Sequence, residues 1–314
     1  MPLHPDLEAF LELAGMADED TRRPMSEMTT RQARIAYDRS TLALDTPGND
    51  VPIELLTLPC RDGHRLQARL YRGAKKSMLQ PTLLYFHGGG YVVGGLDSHD
   101  SLCRDLAHHA SCAVLAVGYR LAPEHKFPTA FHDAEDAHDW LLQHSTHHGL
   151  NPRCIAIGGD SAGGTLATSL CIAARDAGRP QPALQLLLYP CTSVRQDSDS
   201  HRRYASGYLL EQKTLQWMFG HYLRGDEDRR DWRFAPMEAR SLEHVAPAHI
   251  ALAQYDPLVD EGVAYANRLR AAGVPTVIKV YEGMVHDFAR LGNVVEEADL
   301  LRRDLAKALA SAFR

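Results

Sequence analysis

The run Gly158-Gly159-Asp160-Ser161-Ala162-Gly163-Gly164 constrains this chain more than any other stretch. Before it stands the apolar run Cys154-Ile155-Ala156-Ile157, which reads as a buried strand, and after it Thr165 to Ala174 reads as a helix. Gly159 to Gly163 therefore fits G-x-S-x-G in the strand–turn–helix setting that gives the pattern meaning. Glycines on both sides let the chain turn sharply, so Ser161 can occupy a strained backbone conformation with its hydroxyl exposed. The helix that begins beside it directs free amides and a positive dipole end at any anion formed there. Ser161 is the candidate nucleophile.

A serine hydroxyl needs a base to take its proton and a third group to orient that base. Downstream, His249 to Tyr255 reads as a strand ending at Asp256-Pro257-Leu258-Val259-Asp260-Glu261-Gly262. Thr276 to Tyr281 reads as another, followed by the loop Glu282-Gly283-Met284-Val285-His286-Asp287-Phe288. Asp256 and His286 thus lie just past the carboxyl ends of strands, where open α/β sheets bind ligands. Asp260 is the rival to Asp256, but it and Glu261 suit the first turn of the next helix, where carboxylates favour the dipole. Upstream, the strand Thr82 to Phe86 runs into His87-Gly88-Gly89-Gly90-Tyr91. Three glycines let backbone amides approach a developing oxyanion without side-chain obstruction.

With these blocks in order, the sequence resembles the hormone-sensitive-lipase-like group of α/β-hydrolase esterases, the bacterial "family IV". The resemblance covers nearly the whole chain and includes Tyr119-Arg120-Leu121-Ala122-Pro123-Glu124 and Gly283-Met284-Val285-His286. It implies Ser161 as nucleophile, His286 as general base and acid, and Asp256 as orienting carboxylate. It also implies an oxyanion hole from the amides of Gly89, Gly90 and Ala162, with Gly88 setting the loop's shape. Two positions depart from the group. Val259 stands where Arg is more usual, and Asp287 follows the histidine where Gly is common. A carboxylate facing the ring raises the pKa of His286; Asp287 is expected to point away. Asp160 is expected to serve structure, hydrogen-bonding near the elbow.

The 314 residues carry 45% hydrophobic content, enough for one large core. Strands near 54–58, 66–71, 82–86, 112–118, 154–158, 184–189, 248–255 and 276–282 alternate with helical patterns such as Phe131–His144, Val263–Ala272 and about 294–313. That pattern implies a mostly parallel central sheet with helices on both faces, the α/β class. Residues 46–191 and 241–314 are expected to form this core. Residues 1–45 hold two helical patterns, one around Leu7, Phe10, Leu11 and Ala14 and another from Met25 to Leu42. Residues 192–240 form a long insertion with Tyr204, Tyr208, Trp217, Met218, Phe219, Tyr222 and Trp232, too aromatic for disorder. By the resemblance, both stretches form a helical cap that shapes the acyl and alcohol pockets.

The net charge of −6 gives no basic footprint, so nucleic acid is not expected as a partner. The N-terminus lacks the regions of a signal peptide, no apolar run reaches membrane-span length, and the six cysteines form no C-x-x-C pair, which fits a reduced cytoplasm. His138, His144, His147 and His148 gather on one predicted helix and its end, where a solvated face explains them better than a metal. Arg22, Arg23, Arg31, Arg34 and Arg39 likewise read as a solvated face. No nucleotide-binding pattern is present, so no cofactor is expected. The reading is a serine carboxylesterase acting on short- to medium-chain esters, a small-molecule substrate, without cofactor. An amidase or acyltransferase would share every residue named. A binding protein on the same fold is a further alternative, since plant gibberellin receptors resemble the group but lack the histidine retained here as His286. The strand at 276–282 lies where a sheet edge can pair with a second copy, so a homodimer is open.

Overall fold

The computed structural model describes residues 1–16, 23–74 and 78–314; Arg22 lies outside them. Helices α1 (Pro5–Met16) and α2 (Thr30–Leu44) precede strands β1 (Ile53–Pro59), β2 (Arg65–Arg72) and β3 (Gln80–Phe86). Then come α3 (Asp100–Ala110), β4 (Ala113–Gly118), α4 (Thr129–His144), β5 (Leu150–Asp160), α5 (Ala162–Asp176) and β6 (Gln185–Leu188). Short α6 (Asp199–Arg203) and α7 (Gln212–Tyr222) lead to β7 (Ala248–Tyr255), α8 (Val259–Ala271), β8 (Thr276–Val285) and α9 (Glu297–Ala312).

The strands form one eight-stranded sheet in the order β1-β2-β4-β3-β5-β6-β7-β8. Pairs from β4 through β8 are parallel, whereas β2 runs antiparallel to both β1 and β4. This is the mostly parallel sheet expected. Because side chains alternate along a strand, Leu84, Phe86, Leu115 and Ile157 enter the core on one face. Leu83, Tyr85, Val114 and Ala156 enter the core on the other. Such double-faced burial is why these strands read as continuous apolar runs.

Three expectations need correction. Met25 to Leu42 is not one helix: Met25–Glu27 is a 3-10 turn, and α2 starts anew after Thr29. Thr29 accepts from the Gln32 amide while the Gln32 side chain accepts from the Thr29 amide, a capping box that ends any continuity with the turn. Arg34 is not a solvated charge. Its guanidinium donates to Val92 O at 2.9 Å, Ala122 O at 2.8 Å and both oxygens of Glu124. His138 is buried rather than solvated, and burial with the nearby Arg179 pushes its pKa down to about 4. His144 and His147 are exposed, and His148 pairs with Glu54 at 3.1 Å. Among the described residues no cluster of three or more His, Cys, Asp or Glu has the arrangement of a metal site. No described helix is long and apolar enough to cross a membrane.

Candidate active site

β3 and β5 lie side by side with Phe86 opposite Gly159, so the glycine loop and the serine turn leave the sheet next to each other. Ser161 sits between β5 and α5 at φ 50°, a conformation an L-residue adopts only at a cost of about 1–3 kcal/mol. Tight packing enforces it. A Cβ on Gly163 would run into Phe86 O, and one on Gly159 into the backbone of Gly163, so the helix lies directly against the strand. The Ser161 amide donates to Leu188 O at 2.9 Å, and Ser161 O accepts from the Thr165 amide at 3.1 Å.

The loops after β7 and β8 bring their residues to the same place. His286 Nε2 lies 3.1 Å from Ser161 Oγ, and His286 Nδ1 lies 2.6 Å from Asp256 Oδ2. Asp256 is fully buried, and its Oδ1 accepts the Leu258 amide at 2.8 Å, which fixes the carboxylate plane. Burial pushes the imidazole pKa down, but Asp256, then Asp287 and Asp160, push it up, and the net direction is upward. Asp260 stands apart. Its carboxylate accepts the Ser200 amide at 2.8 Å from the first turn of α8. Glu261, also in that turn, is buried, and its Oε1 accepts the amides of Thr192 and Ser193.

The glycine loop is held from below by Asp160. Its Oδ1 accepts the Gly88 amide at 3.0 Å and the Tyr85 hydroxyl at 2.6 Å, while Oδ2 lies 3.1 Å from His99 Nε2. Burial opposes ionisation, yet His99, Tyr85 and Arg290 hold this carboxyl well below the usual range. The Gly88 amide is therefore committed. Among the described residues the amides of Gly89 and Gly90 donate to no protein group, and both residues have positive φ (109° and 58°), a backbone conformation that glycine adopts without strain. Ala162 begins α5, so its amide is one of the orphan donors at that helix terminus. His87 stacks on Tyr119 at 4.2 Å, and the Tyr119 hydroxyl donates to His87 O at 2.7 Å, so the Tyr119 to Glu124 block braces the loop. Burial and the neighbouring His99 push the His87 pKa down to about 3, which makes it a neutral strut.

The α/β hydrolase fold family's sequence profile matches residues 83–290 of this chain. The chain belongs to that family. Over 307 residues it is 44% identical to the ethyl acetate hydrolase of Pseudomonas putida, covering 95% of this chain and 96% of that one. It is 32% identical over 293 residues to the arylesterase of Saccharolobus solfataricus, covering 92% of each. The solved structure of an ester hydrolase from the metagenome of Lake Arreo, complexed with a derivative of bipyridine phosphonate, matches it with a TM-score of 0.95. That structure is 34% identical and covers 99% of each chain. The α/β hydrolase described here is a carboxylic ester hydrolase of the hormone-sensitive-lipase-like group. A receptor without turnover is set aside.

A cavity of about 310 Å³ opens onto Ser161 in this esterase. Phe10, Met25 and Leu44 reach it from the N-terminal helices, and Leu209, Leu215, Met218 and Phe219 from the insertion before β7. Met218 packs so closely over the glycine loop that a Cβ on Gly90 would strike its sulfur. Asp287 and Arg290 also line the cavity, paired with each other, and Asp287 makes no hydrogen bond to the imidazole. Sequence reasoning missed Arg34, Arg290 and Glu261 as parts of the site's scaffold. Apart from Asp287, three residues before Arg290, the hydrogen-bond partners of these side chains lie 58 to 249 residues away in the chain, a separation no local pattern carries.

Proposed function

We propose that this esterase works through a serine–histidine–aspartate triad and an acyl-enzyme. Ser161 Oγ attacks the ester carbonyl while His286 Nε2 takes its proton, and Asp256 stabilises the imidazolium through Nδ1. The oxyanion is received by the amides of Gly89, Gly90 and Ala162, whose worth for a single donor is about 10²–10³ in turnover. His286 then protonates the leaving alcohol, and a water molecule repeats the attack to release the acid. The observation that carries this reading is the unbroken chain Ser161 Oγ–His286–Asp256, at 3.1 and 2.6 Å.

Residues 1–45 and 192–240 act as the cap, because both supply walls to the cavity that faces Ser161. A cavity of about 310 Å³ with predominantly apolar walls suits short- to medium-chain acyl esters. The small ester named for the Pseudomonas putida relative points the same way. The test is hydrolysis of p-nitrophenyl esters from acetyl to palmitoyl by the wild type and Ser161→Ala. Turnover that is lost in the variant and declines toward the long chains supports the reading; wild-type rates in the variant overturn it.

Two further readings concern the whole molecule. The six cysteines are free thiols, which favours a reducing compartment such as the cytoplasm. Strand β8 is the edge of the sheet and exposes Val277 and Val280, so it offers a second copy of the chain a surface for pairing. A monomeric mass by light scattering contradicts that pairing.

A further inference from the structure

Arg290 is 6% exposed and its guanidinium is held from four sides. Nε and Nη2 donate to the two oxygens of Asp287 at 3.2 and 2.6 Å. Nη1 donates to Thr41 Oγ1 of α2 at 2.5 Å and to Ser98 O at 3.4 Å. The guanidinium carbon stands 4.1 Å over the ring of Tyr37, whose hydroxyl donates to Asp287 Oδ2 at 3.3 Å. Asp287 follows His286 directly and has φ 68°, a left-handed conformation that Asp tolerates better than most residues. The pair therefore joins three parts of the molecule at the wall of the reactive cavity: α2, the loop before α3, and the turn that carries the imidazole.

Burying an arginine is costly unless its donors find partners, and this arrangement supplies hydrogen bonds to four of the five N–H groups. What the arrangement accomplishes follows from the neighbour of Asp287. An unpaired carboxylate one residue from an imidazole favours the imidazolium, which cannot accept the serine proton. An arginine bound to that carboxylate through a two-pronged fork cancels most of its field at the ring. The groups around His286 are Asp256 from the loop after β7, Asp160 and Ser161 from the elbow, and Tyr189 from the end of β6, its ring 4.7 Å away. Tyr37 approaches from α2, and Asp287 and Arg290 from its own turn, with His99 behind Asp160. Of the three carboxylates, Asp256 bonds to the imidazole itself and Asp160 is paired with His99. Arg290 is the partner that answers the third.

We propose that Arg290 is a positioning residue: it pins the turn of His286 against α2 and neutralises Asp287, so that the imidazole is tuned chiefly by Asp256. The inference rests on the reading of His286 as general base. It predicts opposite effects from the two halves of the pair. Removing Arg290 leaves a bare carboxylate beside the base and raises its pKa; removing the Asp287 charge leaves a bare guanidinium and lowers it.

The experiment is the pH profile of kcat/KM for p-nitrophenyl acetate, whose acid limb reports the free base. Wild type is compared with Arg290→Met, Asp287→Asn, the double variant, Arg290→Lys and His286→Gln. The acid limb moves to higher pH in Arg290→Met and to lower pH in Asp287→Asn, each by on the order of half a unit or more. In the double variant it returns close to wild type, because neither charge remains. Arg290→Lys keeps the charge without the fork, so its acid limb stays near wild type while kcat falls. If Arg290→Met does not fold, as judged by circular dichroism, the downward shift in Asp287→Asn carries the test by itself. Loss of kcat at every pH with unmoved acid limbs overturns the proposal and leaves the triad standing. Wild-type activity in His286→Gln overturns both together.

Discussion

Asp160 Oδ1 accepts the Gly88 amide at 3.0 Å, so the residue immediately before Ser161 holds the loop that carries the free amides of Gly89 and Gly90. The turn of Ser161 and the glycine loop are thereby tied together across β3 and β5 by a buried carboxylate. Asp160→Asn keeps the side-chain shape but removes the charge that His99 and Tyr85 are arranged to satisfy. Since a displacement near 1 Å at a reacting centre costs about 10²-fold, kcat is expected to fall by about tenfold to a hundredfold with KM little changed. Steady-state kinetics on p-nitrophenyl acetate checks this, and an unchanged kcat contradicts the tether.

Met218 of α7 packs over Gly90 of the glycine loop at the cavity wall. Met218→Ala removes the side chain that a Cβ on Gly90 would strike, so the cavity deepens at that point. The ratio of kcat/KM for hexanoyl over acetyl esters is expected to rise. Because Met218 is 6% exposed, stability is expected to fall by about 2 kcal/mol, at the lower end for truncating a buried methionine since one side already faces a cavity. Chain-length kinetics and urea unfolding measure the two effects separately.

Glu261 carries a pH signature of its own. Burial, opposed by the Thr192 and Ser193 amides and reinforced by Asp256, raises its pKa from 4.5 to about 8. A carboxyl raised on folding binds more protons in the native than in the unfolded state, so its stabilising contribution is complete below 4.5 and lost as pH rises through 8. Glu261→Gln keeps an acceptor for the two amides and cannot ionise. Urea unfolding should therefore show the variant gaining on the wild type between about pH 5 and about pH 8. A difference that is flat with pH contradicts a protonated Glu261.

Arg302 anchors the far end of α2 to α9. Its guanidinium, 1% exposed, donates to Asp45 at 2.6 Å, Asp105 at 2.8 Å and Ala289 O. Arg302→Met leaves two buried carboxylates without their cation and is expected to cost about 3–5 kcal/mol of stability. Activity per folded molecule should be nearly unchanged, since the group lies outside the cavity. Denaturant titration together with active-site titration separates the two quantities.

The parts of this esterase that could be read from its residues are those encoded locally. Runs such as Leu83 to Phe86 and Ile155 to Ile157 announce buried strands because both faces are covered, and the glycines around Ser161 announce the elbow because no larger residue fits there. Asp256 and His286 were legible as strand-end residues in motif order. The buried charges were not. Arg34 and His138 look like surface residues in sequence, since nothing nearby names Glu124 or the core around α4 as their surroundings. The break between Met25–Glu27 and α2 depended on one capping box, a signal present in Thr29 and Gln32 but masked by the apolar periodicity around it.

Acylation of Ser161 is open to a trapping experiment. The wild type is treated with a p-nitrophenyl phosphonate ester, digested and mapped by mass spectrometry alongside Ser161→Ala. One phosphonyl group per chain is expected, carried on Ser161, with activity lost in proportion and no adduct in the variant. Inactivation with the label on any other residue, or wild-type turnover by Ser161→Ala, would contradict it.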